Sequence, residues 1–279
     1  MTTITERPAA APAAPAGKKK AAGPSRLVRS RLFVYSARGV LCIGFLILWE
    51  AASRQGWVDE TLFGRPSGVW QAMVDYLPSE RSLSSLGATG AAVAISFVIG
   101  SVSGTVAGLV LGLSRTLNAI VGPFLAPINS IPRIALAPVF IAWFGLTVTA
   151  KVVLAVSIVF FILAENARSA VRSVDADLMT MARVVGLKRS SLLLKVVLPS
   201  AVPTMMAGLR LTFTYALLGV VASEMVAATG GLGQDIVLYS SSYQINTVFA
   251  ILVELMVIAV IMNGLFTLLE RWLLRWQQT

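Results

Sequence analysis

The stretch Ser173–Pro203, SVDADLMTMARVVGLKRSSLLLKVVLPSAVP, is a polar interruption between long hydrophobic segments. Four of its residues follow helical i, i+3, i+4, i+7 spacing and predict one apolar stripe: Leu178, Met181, Ala182 and Val185. Gly186 predicts the end of this helix, and a second short helix is expected to end at Pro199. Because such short helices need a surface to pack on, the stripe predicts a docking element for another protein. A loop lying on lipid headgroups is the alternative.

The composition is that of an integral membrane protein. Hydrophobic residues make up 56% of the 279 residues and charged residues only 13%, about half the share in soluble domains. The chain has no His, and it has no paired acidic motif, which argues against a membrane enzyme. Its one cysteine, Cys42, excludes an intrachain disulfide. Since no P-loop motif occurs, any ATP must be bound by another subunit.

The hydrophobic pattern predicts an all-α polytopic membrane protein with a basic, disordered cytoplasmic tail at residues 1–30. An interfacial helix is expected around Gly68–Leu77. The docking loop is placed at 168–200. Six transmembrane helices are predicted, at about 33–53, 86–112, 118–145, 150–167, 201–228 and 246–270.

The distribution of Lys and Arg predicts the orientation. With six spans, 17 of the 23 basic residues fall on the side that carries both termini and the docking loop, and four fall on the other side. We therefore expect a multi-pass protein of the cytoplasmic membrane. The positive-inside rule places both termini and the docking loop in the cytoplasm. This asymmetry accounts for the net charge of +10 without a nucleic-acid partner.

Charged residues inside predicted spans are candidates for a translocation path. Arg133 lies among four prolines of the third span, and Arg210 and Glu224 lie in the fifth. We hypothesise that the two arginines give the path a positive field suited to an anionic head group, with Glu224 as a partner. An ion pair between Glu224 and Arg133 is geometrically possible. The alternative to a path role is that both arginines are structural or interfacial.

Glycines mark two further features. In the second span, glycine recurs at every fourth position, which predicts close helix packing, with a dimer contact as the alternative: Gly100, Gly104, Gly108 and Gly112. The GGLG stretch at 230–233 is too short for a nucleotide loop and predicts a tight external turn.

The docking loop resembles the EAA loop of permease subunits of binding-protein-dependent ABC importers. Five positions match the family's pattern at its spacing: Ala182, Gly186, Val196, Leu198 and Pro199. Two positions depart from it, since Thr180 stands where the family has an acidic residue and Met181 where it has the first alanine. Three stretches also resemble the nitrate/sulfonate/taurine branch, namely Ser130–Gly145, Ser173–Gly186 and Ala222–Gly233.

The resemblance implies the six-helix fold of a type I importer permease, with a cytoplasmic coupling helix. It implies a homodimer in membrane lipid, two cytoplasmic ATPase subunits that bind ATP and Mg, and an external substrate-binding protein. The chain itself would hold no cofactor and catalyse nothing. The coupling helix would dock on the ATPase through Leu178, Met181, Ala182, Arg183, Val185, Gly186, Arg189 and Pro199.

The solute implied by this branch is an aliphatic sulfonate such as taurine. The alternatives are nitrate, a thiamine precursor or another small nutrient. An ion-coupled secondary carrier, with membrane carboxylates such as Glu224 and Glu254, is a further alternative.

Overall fold

The structure, a computed structural model, describes residues 31–174, 176–187, 189–192, 195, 197–227 and 229–273. All regular elements within these ranges are helical, which confirms the all-α class. The predicted N-terminal tail, 1–30, lies outside the described residues.

The chain divides into two compact units, Met1–Ala51 and Ala52–Thr279. The described part of the first unit is a single helix, α1 (Arg31–Arg54), whose last residues belong to the second unit. The remaining helices are α2 (Glu60–Phe63), α3 (Pro66–Tyr76), α4 (Glu80–Leu113), α5 (Arg115–Asn129), α6 (Ala137–Phe144), α7 (Val148–Arg172), α8 (Ala176–Val184), α9 (Arg189–Leu192), α10 (Leu198–Ala227), α11 (Leu232–Ser241) and α12 (Ile245–Leu273). Among the described residues, α1, α4, α7, α10 and α12 are long and apolar enough to cross a membrane, and each overlaps a predicted span.

The helices α4 and α7 pack closely against each other in the second unit. A Cβ atom at Gly100 would lie 2.7 Å from Val159 Cβ, and one at Gly112 would lie 2.7 Å from Val171 Cβ. Because both contact positions advance along their helices together, α4 and α7 run in the same direction. The four-residue glycine repeat therefore serves close packing within the chain, as the sequence predicts.

The predicted third span, 118–145, is not one helix. It consists of α5, a 3₁₀ turn at Arg133–Leu136 and α6. The break follows from Pro132, which has no N–H to donate and which disfavours helical geometry at the residue before it. Since α4 and α7 are parallel, this broken segment must return the chain to the end of the bundle where α4 began.

The core of the second unit joins α4, α10 and α12. Their aromatic rings meet with centroids 5.5 to 5.7 Å apart, in a cluster of Phe97, Phe213 and Phe266. The α10 helix runs antiparallel to α7, because Gly208 lies against Asn166 and Gly219 lies against Ile158. The ends of α7 and α10 therefore meet at both faces of the bundle.

Gly108→Ala tests the α4–α7 contact. A methyl group at this position would overlap the Ala164 carbonyl oxygen, which is backbone and cannot move aside alone. We expect the substitution to cost about 1–3 kcal/mol and to lower the melting temperature of the purified protein by about 5 °C. Gly90→Ala, in the same helix with no atom within 4 Å of its Cβ, is the matched control and should leave the melting temperature unchanged or slightly higher. Equal melting temperatures for the two variants would contradict the packing.

Candidate functional site

A buried ion pair lies where α7 begins and α10 ends. Lys151 Nζ is 2.8 Å from Glu224 Oε1, and the two side chains are 8% and 0% exposed. Charged groups are kept in an apolar interior only when partners offset the loss of hydration. Breaking such a pair costs about 3–5 kcal/mol, so these two residues depend on each other.

Glu224 is held by more than Lys151. The Thr89 hydroxyl donates to Glu224 Oε2 at 2.9 Å, and the Gly233 N–H donates to the same oxygen at 3.0 Å. The Thr89 oxygen in turn accepts from the Leu232 N–H at 2.9 Å, and Lys151 Nζ also donates to the Gly230 carbonyl oxygen at 3.1 Å. The cluster therefore ties α4, α7 and α10 to the turn that leads into α11.

The GGLG turn fits closely over the Glu224 carboxylate. Gly231 has φ of 119°, in the region that favours glycine, and its Cβ position would overlap the carboxylate. The chain bends at Gly230 and Gly231, where a tight turn was predicted, but Leu232 and Gly233 of the same stretch are already helical. The helix α11 begins at Leu232, in the interval between the predicted fifth and sixth spans, where no helix was predicted.

A second buried acid, Asp235 of α11, lies near the same end of the bundle and is 1% exposed. The Tyr76 hydroxyl donates to Asp235 Oδ2 at 2.7 Å, while Arg81 donates to Oδ1 through Nε at 2.8 Å and Nη2 at 2.6 Å. Burial, followed by the hydrogen bond to Asp235, raises the pKa of Tyr76 above its ordinary value. This network fixes α3 and α11 to the start of α4.

Arg133, a predicted path residue, holds the break in the third segment. Its guanidinium donates to the Ser157 carbonyl oxygen at 2.6 Å, to Asn129 Oδ1 at 2.9 Å and to the Ile128 carbonyl oxygen at 3.3 Å, and it lies 4.0 Å from the centroid of the Phe161 ring. The Ile128 carbonyl lacks its i+4 helical donor because residue 132 is proline, and the Ile131 N–H reaches it only at 3.4 Å. Arg133 therefore caps α5 and anchors it on α7.

Glu224 and Arg210, the other predicted path residues, have partners that the sequence did not indicate. The Glu224–Arg133 pair is absent, because Glu224 binds Lys151 and Arg133 binds backbone carbonyls. Arg210 pairs with Glu270, which joins α10 to α12. The role of these residues in a path stays a prediction.

The docking loop contains the predicted helix, α8, and the helix stops at the predicted glycine. Gly186 has φ of 78°, and the Leu187 N–H donates to the Ala182 carbonyl oxygen at 3.1 Å. A glycine in this conformation followed by this hydrogen bond is a Schellman C-cap. The chain therefore turns sharply after α8.

An apolar surface is exposed at the end of α8: Met181 is 65%, Val184 81% and Val185 77% exposed. Of the residues in the predicted stripe, Ala182 is buried within its own chain, and Val184, which the stripe omitted, is exposed instead. The side chains of Leu178, Arg183 and Arg189 lie outside the described residues.

Pro199 does not end a helix, contrary to the prediction. It is the second residue of α10. Proline is accepted in the first turn of a helix because the N–H groups there have no helical partner. Pro199 therefore marks where α10 begins after the docking loop.

A cavity of about 650 Å³ lies between the short helices α2 and α3 and the start of α12, on the side that the charge count places outside the cell. Its wall carries Glu60, Arg65 and Asp75 together with amide side chains such as Gln71 and Asn246. Asp59 caps α2, and its hydrogen bonds from the Thr61 side chain and N–H lower the pKa of its carboxyl.

No sequence pattern indicated the roles of Lys151, Thr89, Asp235 and Arg81; Lys151 entered only as one of the four basic residues counted on the external side, at the start of the predicted fourth span. The signal that could have paired Lys151 with Glu224 is their depth in the membrane. Lys151 is the fourth residue of α7 and Glu224 the fourth from the end of α10, so antiparallel helices put both at one level.

Residues 96–275 match the family described as the binding-protein-dependent transport system inner membrane component. A putative aliphatic sulfonates transport permease of Bacillus subtilis (strain 168) is 29% identical over 87% of this chain and 88% of that protein. A riboflavin transport system permease of Chloroflexus aurantiacus is 35% identical over 83% of this chain and 87% of that protein. A solved structure of the MetNI methionine ABC transporter, in an inward-facing conformation, is 23% identical and covers 68% of this chain and 94% of its own, with a TM-score of 0.61, which shows a shared fold.

Gly231→Ala tests the closure of the turn over Glu224. The added methyl group would meet the carboxylate, and the positive φ would be strained, so we expect the melting temperature to fall by about 5 °C. Gly230→Ala is the matched control, since no atom lies within 4 Å of its Cβ position. The turn would not depend on glycine if both variants melted like the unaltered protein in a fluorescence-based assay.

Proposed function

The chain belongs to the family of inner-membrane components of binding-protein-dependent transport systems, and we propose that the solute it carries is a small anion, an aliphatic sulfonate such as taurine. As a permease subunit of an ABC importer it is not catalytic, and ATP is hydrolysed by a separate partner. Sulfonate permeases are among its relatives, which supports this solute, although a riboflavin permease is among them too.

The observation that carries the transport role is the exposed apolar surface of α8, formed by Met181, Val184 and Val185. The helix has nine residues, too few to cross a membrane, and it sits in a basic loop on the cytoplasmic side of the predicted topology. Exposed apolar side chains rimmed by charge are typical of a protein contact. We infer that this surface docks on the ATPase subunit.

The proposed assembly contains two copies of this chain, two ATPase subunits and an external substrate-binding protein, with both termini in the cytoplasm. The cavity between α2, α3 and α12 is a suitable contact for the binding protein, because the predicted topology puts it on the external side and its wall carries both charge signs. ATP binding would draw the two docking helices together, and the attached membrane helices would move as rigid bodies.

Val184→Asp tests the docking surface. Val184 is 81% exposed, so the substitution should leave the melting temperature of the isolated permease unchanged. A carboxylate buried in an apolar contact is costly, and we expect co-purification of the ATPase with tagged permease to fall at least about 10-fold.

Val184→Thr keeps the shape of the side chain without a charge and is the control, with near-normal ATPase recovery. Full recovery of the ATPase by Val184→Asp would place the docking contact elsewhere and favour a loop that lies on lipid.

Uptake into proteoliposomes tests the solute. With permease, ATPase and binding protein reconstituted, we expect ATP-dependent uptake of radiolabelled taurine that ethanesulfonate inhibits. Ethanolamine, which keeps the amino group and lacks the sulfonate, should not compete. Uptake of riboflavin without uptake of any sulfonate would reject the proposed solute, and taurine uptake without ATP would favour a secondary carrier.

A further inference from the structure

A small polar cavity, of about 290 Å³, lies beside the Lys151–Glu224 pair, where α4 and α7 begin and α10 ends. Hydroxyl groups and one ammonium group dominate its polar wall, from Ser84, Thr147, Lys151, Ser223 and Thr229. The predicted topology places it at the external end of the bundle. Its volume is near the lower limit of ligand pockets, about 300 Å³, and so suits a small solute.

Lys151 gives this cavity a fixed positive group. An ammonium has three N–H donors. Within the described part of the chain, two are used, for Glu224 Oε1 at 2.8 Å and for the Gly230 carbonyl oxygen at 3.1 Å. One donor is therefore left for a ligand.

The start of α7 adds a second positive contribution. Thr147 is at the N-cap position, but its side chain accepts no capping hydrogen bond; its hydroxyl donates to the Phe144 carbonyl oxygen at 2.9 Å. Among the described residues, the N-cap side chain therefore leaves the first-turn N–H groups of α7 uncapped, and Val148 and Ala150 of that turn line the cavity. Free N–H groups and a partial positive charge at a helix start favour an anion.

Ser223 provides the observation that points most directly to a ligand. It is 3% exposed and lines the cavity, and its hydroxyl makes no hydrogen bond to any of the described residues. The Ser223 oxygen opens onto the cavity, so its hydrogen bond must be made to whatever occupies the cavity. A bound acceptor in the cavity would satisfy it.

Glu224 limits the charge of the ligand that the cavity can accept. Because Thr89 and the Gly233 N–H also hold its carboxylate, Lys151 can turn one donor to a ligand while Glu224 stays bound. The pair is neutral overall, so the cavity has no excess charge to offset a dianion. The cost of burying an ion grows as the square of its charge, roughly fourfold from one charge to two.

We propose that this cavity receives the singly charged oxyanion group of the transported solute, such as a sulfonate, on its way from the binding protein. Lys151, Ser223 and the first turn of α7 are the donors. The assignment rests on the proposed function, in that it takes the solute to be a small anion.

A cysteine placed in the cavity tests the proposal. In a Cys42→Ser background, which removes the one native thiol, Ser223→Cys puts a thiol at the cavity wall. The permease–ATPase complex in phosphatidylcholine liposomes is labelled with a sulfonatoethyl or a trimethylammonioethyl methanethiosulfonate. After division by each reagent's rate with a free thiol, we expect the anionic reagent to react about 10-fold faster, and millimolar ethanesulfonate to slow the labelling.

Two variants provide controls. Gln71→Cys, in the wall of the 650 Å³ cavity with Glu60 and Asp75, should show no anionic preference. Combining Lys151→Met with Glu224→Gln removes both charges without leaving either one buried alone, and it should abolish the preference at Ser223→Cys. Persistence of the preference in this double variant would overturn the role of Lys151.

The competing anions decide the class of ligand. Ethanesulfonate should protect the thiol at lower concentration than inorganic sulfate, which carries two charges; equal or better protection by sulfate would overturn the assignment to a singly charged group. Equal labelling rates for the two reagents, together with taurine uptake by the unaltered protein, would reject the cavity and leave the proposed function standing. An anionic preference without uptake of any sulfonate would reject the solute and leave an anion-selective cavity.

Discussion

The contact between the glycine face of α4 and the backbone of α7 is the constraint on which the rest of the structure depends. Without a hydrophobic driving force between helices in lipid, close approach of backbones is a main source of stability, and glycine allows it. The parallel direction of the two helices obliges residues 114–147 to return across the bundle. That return passes through the proline-rich break, where Arg133 donates to the Ile128 carbonyl oxygen of α5 and to the Ser157 carbonyl oxygen of α7. A local repeat of one residue type thus determines the path of the chain over two segments.

The same contact brings together charged groups that would be strongly destabilising if they were buried without partners. Because α4 and α7 begin at one end, Thr89 of α4 and Lys151 of α7 both reach Glu224 of α10. Every donor to this carboxylate comes from a different element, so the cluster forms only when the bundle is complete. Asp235 follows the same rule, with Tyr76 from α3 and Arg81 from α4. Buried acids at this end therefore make the packing of the helices specific as well as stable.

Local patterns were predictable from the sequence, and long-range partners were not. The glycine repeat of α4 and the stop at Gly186 depend on the residues themselves and were predicted correctly. The partner of Glu224 lies 73 residues away, and only the depth of both residues in antiparallel helices pairs them. Pro199 was misjudged because the rule that proline breaks helices does not state on which side of it the helix lies. Ala182 was predicted to lie on the docking surface but is buried, and Val184 was not predicted there but is exposed, because the nine-residue helix packs one face on its own chain.

The docking loop and the outer cluster are joined by the same two helices. α7 carries Lys151 near its start and leads into the loop at its end, while α10 leaves the loop and carries Glu224 near its own end. At 25 residues, α7 is about 37 Å long, so one rigid element links the two faces of the bundle. Gly219 lets α10 approach Ala155 and Ile158 closely, which limits sliding between the pair. In the proposed assembly, a displacement of α8 by the ATPase subunit would reach the Lys151–Glu224 cluster as movement of the two packed helices α7 and α10. The Glu224 carboxylate accepts from donors on three elements, so we expect that movement to change its hydrogen bonds.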